Sequence, residues 1–478
     1  MLEDDAFQEW WANEGPHLFW IHGDPGKGKT MIMLALESEI SKRISTTAVG
    51  GVVLYFFCQS TDDRLNRAAA ILRGLIFMLV SQDRETLLHH LRRKLDEAGD
   101  LERSPTLVYS LFGILIDLSL MSKFAKIYLM VDALDECSFE LSPLLHEIAS
   151  EKCSPKIKWL VTSRNEVLIR EHLQSRNRPC LSLEVNSSHV ENSVNTYILA
   201  KVESLAESKR YDSKLRKEVE EYISNKADGT FLWVALVCEE LQKIPKLDTR
   251  GRLKRFPKGL DPLYERILAQ LPVHKSEDHP DRHLQVLRLI TLALRPLHLS
   301  ELVVLGDLLP GICHDLQDSR DLVETCGSFL TIRDDIVYLV HQSATDFFKD
   351  GKGKEIFCDG VTRANKRIAF RCLDLMSDKL QQNICQLSTP DASPLSVDKE
   401  HLERRLPYYL QYSIRYWVDH LRYSQDHNGR QADVSQRVLR FLQSFILKWL
   451  EALSLVQNTI GAVQIIMDLQ SIQSVSKF

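Results

Sequence analysis

Eight consecutive residues of this chain have the types and spacing to grip a phosphate. Gly23-Asp24-Pro25-Gly26-Lys27-Gly28-Lys29-Thr30 reads G-x-x-x-x-G-K-T. Glycines at these positions let the backbone curl, so that successive N–H groups turn inward toward phosphate oxygens. Lys29 then reaches the β- and γ-phosphates, and the Thr30 hydroxyl ligates Mg²⁺. Lys27 adds positive potential, and Met31 opens a helix whose N-terminus adds its partial positive charge. A second group lies about a hundred residues on. Asp132 ends the apolar run Ile127 to Val131, where a carboxylate can hold Mg²⁺ directly or through water. Asp135 and Glu136 follow, and one of them could polarise an attacking water; spacing does not choose between them. The third piece is Arg164, behind Thr162-Ser163. It either aims a guanidinium at the γ-phosphate or lies as a surface charge after a strand.

These groups need elements to position them. Leu18-Phe19-Trp20-Ile21 predicts a buried strand before the loop, and Met31 to Ile40 a helix after it, rich in helix formers and free of Gly and Pro. Gly51 to Cys58, GVVLYFFC, reads as a strand buried on both faces. Asn66 to Val80 and Leu87 to Ala98 read as helices. Leu107 to Met121 is the most apolar segment. It is short for a bilayer span of about 20 residues and carries Asp117, so it reads as a buried helix. Ser104 would be its N-cap, with Pro105 in the first turn. Strands at Ile127 to Val131, Lys158 to Thr162 and Cys180 to Val185 alternate with helices, including Leu141 to Glu151. That alternation implies a parallel sheet with helices on both faces.

Beyond Ser188 the strands nearly stop. Val190 to Ala206, Ser213 to Lys226 and Thr230 to Lys243 predict helices, with Asp228-Gly229 as the stop between the last two. A connector, Pro245 to Pro257, leads to a helix at Leu260 to Leu271, and the polar stretch Val273 to Arg282 marks a boundary. Helices at Leu284 to Leu294, Glu301 to Leu308 and Ser319 to Cys326 precede β runs at Phe329 to Arg333 and Ile336 to Val340. Helix, helix, helix, hairpin is the order of a winged helix. Residues 362–384 are amphipathic, through Ile368, Cys372, Leu375 and Met376. A linker-like loop, 387–395, precedes Leu410, Ile414, Trp417 and Leu421 at helical spacing. Tyr408, Tyr409, Tyr412 and Tyr416 there read as packing, not as a base-stacking platform. The expected architecture is an α/β P-loop NTPase core at 1–187 and an all-α helical domain at 188–272. A winged-helix domain at 273–350 and a C-terminal helical region at 351–478 complete it.

Composition narrows the class. With 44% hydrophobic and 26% charged residues in 478, the chain can build sizeable cores and is neither disordered nor fibrous. A net charge of −5 offers no global basic field for nucleic acid. The ten cysteines show no C-x-x-C pairs and read as reduced intracellular thiols, not as a disulfide framework or zinc site. The acidic start MLEDDAFQEWW is no signal peptide, so the expected location is cytoplasmic, with no membrane span. Gly351 to Lys354 echoes the phosphate loop but lacks the strand and the Ser/Thr, and reads as a solvated loop.

With these pieces in place the chain resembles the NACHT-type NTPase domain of fungal STAND proteins, whose relatives include the vegetative (heterokaryon) incompatibility proteins. The likeness rests on GDPGKGKT, FFC, ILRGLI, LMVDALDEC and LVTSR. It continues through GTFLWVAL, DPLYERIL, RPLHLSEL, YLVHQSATDFF, RYWVDHL and WLEALSL, roughly residues 8 to 456. The resemblance implies a sheet of order 5-1-4-3-2, with a helical domain and a winged helix closing over ADP. It also implies that His341 touches the β-phosphate of ADP. Exchange for ATP would open the molecule, permit homo-oligomerisation and signal through an effector. Hydrolysis would be slow and Mg²⁺-dependent. The winged helix would then be a lid, and its third helix, with Arg320 against Asp321 and Glu324, suits that better than DNA reading.

Two departures from the family pattern stand out. Relatives carry an effector domain ahead of the NTPase and repeats behind it. Neither is present in these residues, which leaves an adaptor, a regulatory fragment or a truncated reading of a longer gene. Wider relatives place a Pro near the adenine, and Gly229 to Leu236 contains none, so the base contact is unassigned and GTP is not excluded. The rival expectation is a non-catalytic scaffold that keeps ADP for stability.

Overall fold

The computed structural model describes residues 4–12, 17–46, 50–62, 64–98, 104, 106–150, 154–175, 178–184, 187–271, 281–306, 316–387, 397–425, 432–456, 465–467 and 469. It divides into two compact units, Met1–Leu263 and Tyr264–Phe478. The expected boundary loop after residue 272 and most of the 387–395 linker lie outside the described residues.

The first unit is built on a parallel sheet. Its elements run α1 (Asp5–Trp11), β1 (Leu18–His22), α2 (Lys29–Thr46), β2 (Gly51–Phe57), α3 (Ala68–Gln82), α4 (Arg84–Ala98) and α5 (Leu107–Met121). They continue as β3 (Lys126–Asp132), α6 (Leu141–Ala149), β4 (Ile157–Ser163), α7 (Val167–Leu173) and β5 (Cys180–Ser182). The strand order is β2-β3-β4-β1-β5, which from the other edge is β5-β1-β4-β3-β2. Every residue of β1 and β4 is buried, which is why neither sequence alternates apolar with exposed polar residues. Leu18, Trp20, Leu129, Val131, Trp159 and Val161 join the apolar faces of α3, α5 and α6 in one core. The pairing sets Ile21 opposite Thr162 and Val131 opposite Val161. Because the strands are parallel and in step, the C-terminal ends of β1, β3 and β4 meet at one edge of the sheet. That is where ligands sit in open α/β folds.

Three details differ from the sequence expectation. β2 is not doubly buried: it is an edge strand, paired with β3 alone, and Tyr55 is 42% exposed. An apolar run reports that a strand is sticky, and pairing decides whether it is central. α5 starts at Leu107 with Thr106 in the N-cap position, and the Ser104 hydroxyl accepts from the Thr106 N–H at 3.2 Å instead of capping the helix itself. The last strand is short, ending at Ser182. α1 had no sequence signal of its own. It is held by Phe7 and Trp10 against Phe19, and by the buried Lys158 ammonium, which donates to the Trp10 and Ala12 carbonyls at 2.8 Å each. Burial holds the Lys158 amine down at about 8.

Helices α8 (Ser187–Lys209), α9 (Ser213–Lys226), α10 (Phe231–Lys243), α11 (Thr249–Leu253) and α12 (Leu260–Ala269) follow the sheet. The Asp212 carboxylate caps α9 by accepting from the Leu215 N–H at 2.8 Å. Asp228 (φ 50°) and Gly229 (φ 65°) turn the chain between α9 and α10.

The second unit contains α13 (Arg282–Leu292), β6 (Leu297–His298), α14 (Leu299–Leu305), α15 (Leu316–Thr325), β7 (Leu330–Arg333) and β8 (Ile336–Leu339). Its three strands form an antiparallel sheet of order β6-β8-β7. α16 (Gln342–Lys349), α17 (Gly360–Lys379), α18 (Lys399–Arg405), α19 (Tyr408–Tyr423) and α20 (Ala432–Leu455) complete it. The aromatic residues of α19 are packed: Tyr412, Tyr416 and Trp417 are buried. A directed chain runs from the Leu294 N–H to the Tyr412 hydroxyl, on to His420 Nε2, and from His420 Nδ1 to Asn365 Oδ1. Complete burial pushes the His420 imidazole down to about 3, so it stays neutral in this chain.

Candidate nucleotide-binding site

The loop from Gly23 to Gly28 leaves β1 and enters α2 at Lys29. Gly26 and Gly28 sit at φ 77° and 85°, a conformation that a residue with a Cβ rarely adopts. Lys29 lies back along the loop, its Nζ donating to the Gly23 carbonyl at 2.6 Å and the Asp24 carbonyl at 3.1 Å. Burial pushes its ammonium below the usual lysine range, and the Asp135 charge opposes that. The loop is braced from outside the motif. The Asp24 N–H donates to Glu184 Oε1 at 2.6 Å, and the Ser182 hydroxyl holds the other oxygen at 2.9 Å. Burial alone would raise the Glu184 carboxyl, but these donors outweigh it and hold the group below its ordinary value. His22 is buried beside Trp20, and its Nδ1 has no hydrogen-bond partner among the described residues. Met31, in the first turn of α2, is 59% exposed.

Asp132 is the point where the sheet meets the loop. Its Oδ2 accepts from the Thr30 hydroxyl at 2.6 Å and its Oδ1 from the Thr162 hydroxyl at 2.5 Å. Thr162 Oγ1 in turn accepts from the Ala133 N–H at 2.9 Å. Ala133 needs that anchor, since it stands at φ 53°, in the left-handed region. Burial raises the Asp132 carboxyl, and the two hydroxyl donors restrain the rise. A serine-type hydroxyl and a carboxylate in direct contact are hard oxygen donors, the set that Mg²⁺ takes while keeping water and phosphate oxygens as its other ligands. The residues present therefore fit that ion.

The other two acids are separated by their partners. Asp135 faces Arg164: Nε lies 3.1 Å from Oδ2, and the Arg164 N–H donates to Oδ1 at 2.9 Å. Glu136 turns the other way and accepts from the Ser60 N–H at 3.0 Å. Burial pushes its carboxyl up to about 7, against the pull of that N–H. Lys29, Asp132, Asp135, Glu136 and Arg164 are thus gathered at one end of the sheet, within electrostatic reach of each other.

The start of α10 reaches the same loop. Lys27 Nζ donates to the Asp228 carbonyl at 2.5 Å, and the Leu232 N–H donates to the Gly26 carbonyl at 3.4 Å. The Phe231 ring lies 2.7 Å from where a Cβ on Gly28 would be, and meets the Tyr197 ring edge-on at 5.5 Å. Sequence reasoning did not single out Thr162, Glu184 or Phe231. Thr162 was visible as the residue two before Arg164, and Phe231 within GTFLWVAL, but Glu184 had no signal.

His341 belongs to the second unit. There it is the N-cap of α16, its Nδ1 accepting from the Ser343 N–H at 3.0 Å. The same unit ties Arg320, the only basic residue of α15, to Asp335 of the hairpin. No group of three or more metal-ligating His, Cys, Asp or Glu side chains occurs among the described residues, and no helix there is long and apolar enough to cross a membrane.

A parallel sheet, a G-x-x-x-x-G-K-T loop between one of its inner strands and a helix, and an acid at the end of a second inner strand, one strand removed from the first, define a P-loop NTPase domain. The sequence model of the family described as Nephrocystin 3, N-terminal, matches residues 1–164. The chain is 36% identical over 503 aligned positions to the vegetative incompatibility protein HET-E-1 of Podospora anserina, across 99% of this chain and 36% of that protein. It therefore spans little more than a third of that relative's length. The chain is thus a homologue of this fungal vegetative incompatibility protein over nearly all of its own length. Solved structures with some likeness include a STAND protein with a tetratricopeptide repeat sensor, PH0952 of Pyrococcus horikoshii. That match has a TM-score of 0.40 and 11% identity, over 97% of this chain and 60% of that one. Another is the ORC2 protein of Aeropyrum pernix, at TM-score 0.30 and 12% identity, over 74% and 88% of the two chains.

Proposed function

We propose that this chain is a nucleotide-operated signalling switch that alternates between ADP and ATP. The observation that carries the reading is the direct Thr30–Asp132 contact, which joins the phosphate loop to the sheet at a hard-oxygen pair. The inward N–H groups of the loop and Lys29 would hold the β- and γ-phosphates, with Lys29 leaving the Gly23 and Asp24 carbonyls to do so. Thr30 and Asp132 would hold Mg²⁺, which when bound offsets the negative charge of the phosphates. Glu136, with its raised carboxyl, would accept a proton from water, and Arg164 would turn from Asp135 to the γ-phosphate. Residues 188–272 serve as the helical domain and 273–350 as a winged-helix lid, with His341 answering the β-phosphate. Loss of that contact on exchange would release the chain to self-associate, in a fungal non-self recognition or cell-death pathway.

Mass spectrometry of the nucleotide that copurifies with the chain tests the reading, together with size measurement with and without ATP and Mg²⁺. Bound ADP and growth in size with ATP are expected; absence of any nucleotide binding would refute it. One observation favours a second reading, a scaffold that holds ADP without hydrolysing ATP: both Arg164 and Glu136 already have protein partners. Single-turnover phosphate release separates the two.

A further inference from the structure

The stretch from Lys243 to Lys258 departs from the rest of this chain. In sixteen residues it carries seven basic side chains (Lys243, Lys246, Arg250, Arg252, Lys254, Arg255 and Lys258) and one acid, Asp248, within a chain of net charge −5. All seven are exposed. Their backbone is nevertheless firmly built. Thr249 is fully buried, its hydroxyl 3.2 Å from the Tyr211 hydroxyl. Leu253 and Phe256 are buried, the Phe256 carbonyl accepts from the Tyr222 hydroxyl at 3.0 Å, and the Pro257 carbonyl accepts from Trp233 Nε1 at 3.0 Å. On this anchored turn Leu247 is 96% exposed, more than any other large apolar side chain described.

The surrounding acids use up only part of the positive charge. Glu218 pairs with Arg250 at 2.7 Å, Asp228 with Lys258 at 3.0 Å, and Glu239 with Lys243 at 2.9 Å. Lys246 reaches the Arg210 carbonyl. Arg252, Lys254 and Arg255 have no ion pair among the described residues. Three exposed cations with no ion pair among the described residues and one fully exposed leucine, all within nine residues of an anchored turn, match a surface that is anionic outside and apolar a few ångströms in. A bilayer leaflet with acidic headgroups has that profile: cations take the phosphates and the leucine enters the boundary with the acyl chains. A nucleic acid backbone offers nothing for the leucine.

We propose that the Lys243–Lys258 turn docks the chain onto an anionic lipid surface, with Leu247 as the inserted tip. The turn is also joined to the nucleotide site. Lys258 pairs with Asp228, whose carbonyl accepts from Lys27 of the phosphate loop, and Pro257 holds Trp233 of α10. The docking itself does not depend on the switch reading.

The test is cosedimentation of the purified chain with phosphatidylcholine vesicles, with and without phosphatidylserine, beside a duplex DNA oligonucleotide and polyglutamate as competing polyanions. Binding is expected only to the vesicles that contain phosphatidylserine. Leu247→Ser should weaken it by about tenfold, from the lost apolar burial. Arg252→Gln/Lys254→Gln/Arg255→Gln should weaken it by roughly fivefold per charge removed. Both variants should melt as the parent does, because the altered side chains are exposed. Equal binding to neutral vesicles, no vesicle binding, or triple-variant binding like the parent's would each overturn the proposal. So would DNA or polyglutamate binding that Leu247→Ser leaves unchanged while vesicle binding is absent.

Discussion

Arg164 is joined to Asp135 twice, through its side chain at 3.1 Å and through its backbone N–H at 2.9 Å. The pair links the end of β4 to the turn after β3, and it keeps the guanidinium beside the acidic cluster instead of in solvent. Asp135 is 5% exposed at its side chain, and its charge is compensated by Arg164 in direct contact and by the Lys29 ammonium at longer range.

If Arg164 transfers to the γ-phosphate, Arg164→Ala should lower single-turnover phosphate release by about 10² to 10³, as loss of one well-placed donor does elsewhere. ADP affinity, measured by calorimetry, should change little, since ADP has no γ-phosphate. An equal loss of ADP affinity would mean that the arginine only shapes the site.

Glu136 makes the site sensitive to pH. Its carboxyl is raised from 4.5 to about 7, chiefly by burial. The folded chain therefore holds this proton more tightly than the unfolded one does. Its contribution to stability is full below about pH 4.5 and is lost as pH rises to about 7, a change of about 3 kcal/mol for a group this buried. Glu136→Gln should flatten that part of the profile in denaturant melts. Phosphate release should rise through the same window as the carboxylate forms, and the variant should bind ATP yet release almost no phosphate.

Thr162 is expected to act through Asp132. Thr162→Val removes the donor to Asp132 and leaves the Ala133 N–H without its acceptor, at a cost of about 1–3 kcal/mol in unfolding free energy. The increase in ATP affinity on adding Mg²⁺ should shrink, while metal-free ADP binding should hold. Thr162→Ser, which keeps the hydroxyl, should restore the Mg²⁺ effect; failure to do so would show a packing role only.

His341 caps α16, so His341→Ala costs about 1 kcal/mol of helix stability whatever the residue does for nucleotide. His341→Asn keeps a capping acceptor. If the imidazole also answers the β-phosphate, both variants should release ADP faster, by about tenfold for a lost charge-assisted bond. Faster release from the alanine variant alone would trace the effect to the cap.

Several parts of this site were legible in the residues because they are local. The phosphate loop announces itself by glycine spacing between a strand and a helix, and Asp132 and Arg164 by ending apolar runs. The position of β2 was not legible. Val52 to Phe57 is as apolar as a central strand, and only pairing with a single neighbour reveals an edge. Nor did the short, polar-flanked α1 have a pattern of its own, since Phe7 and Trp10 matter only once Phe19 is beside them. The separate fates of Asp135 and Glu136 depended on Arg164 and Ser60, which are 29 and 76 residues away from them.

By itself, then, the sequence determined the chemistry that this chain carries: a phosphate-gripping loop, an acid for a divalent ion, further acids and an arginine. Those follow from residue type and short-range spacing, which any homologue with the same motifs would reproduce. Only the tertiary structure decided which groups touch. It placed Thr162 under Asp132, Glu184 on the Asp24 N–H and Phe231 against Gly28, because strand register and helix packing join positions that spacing along the chain leaves independent.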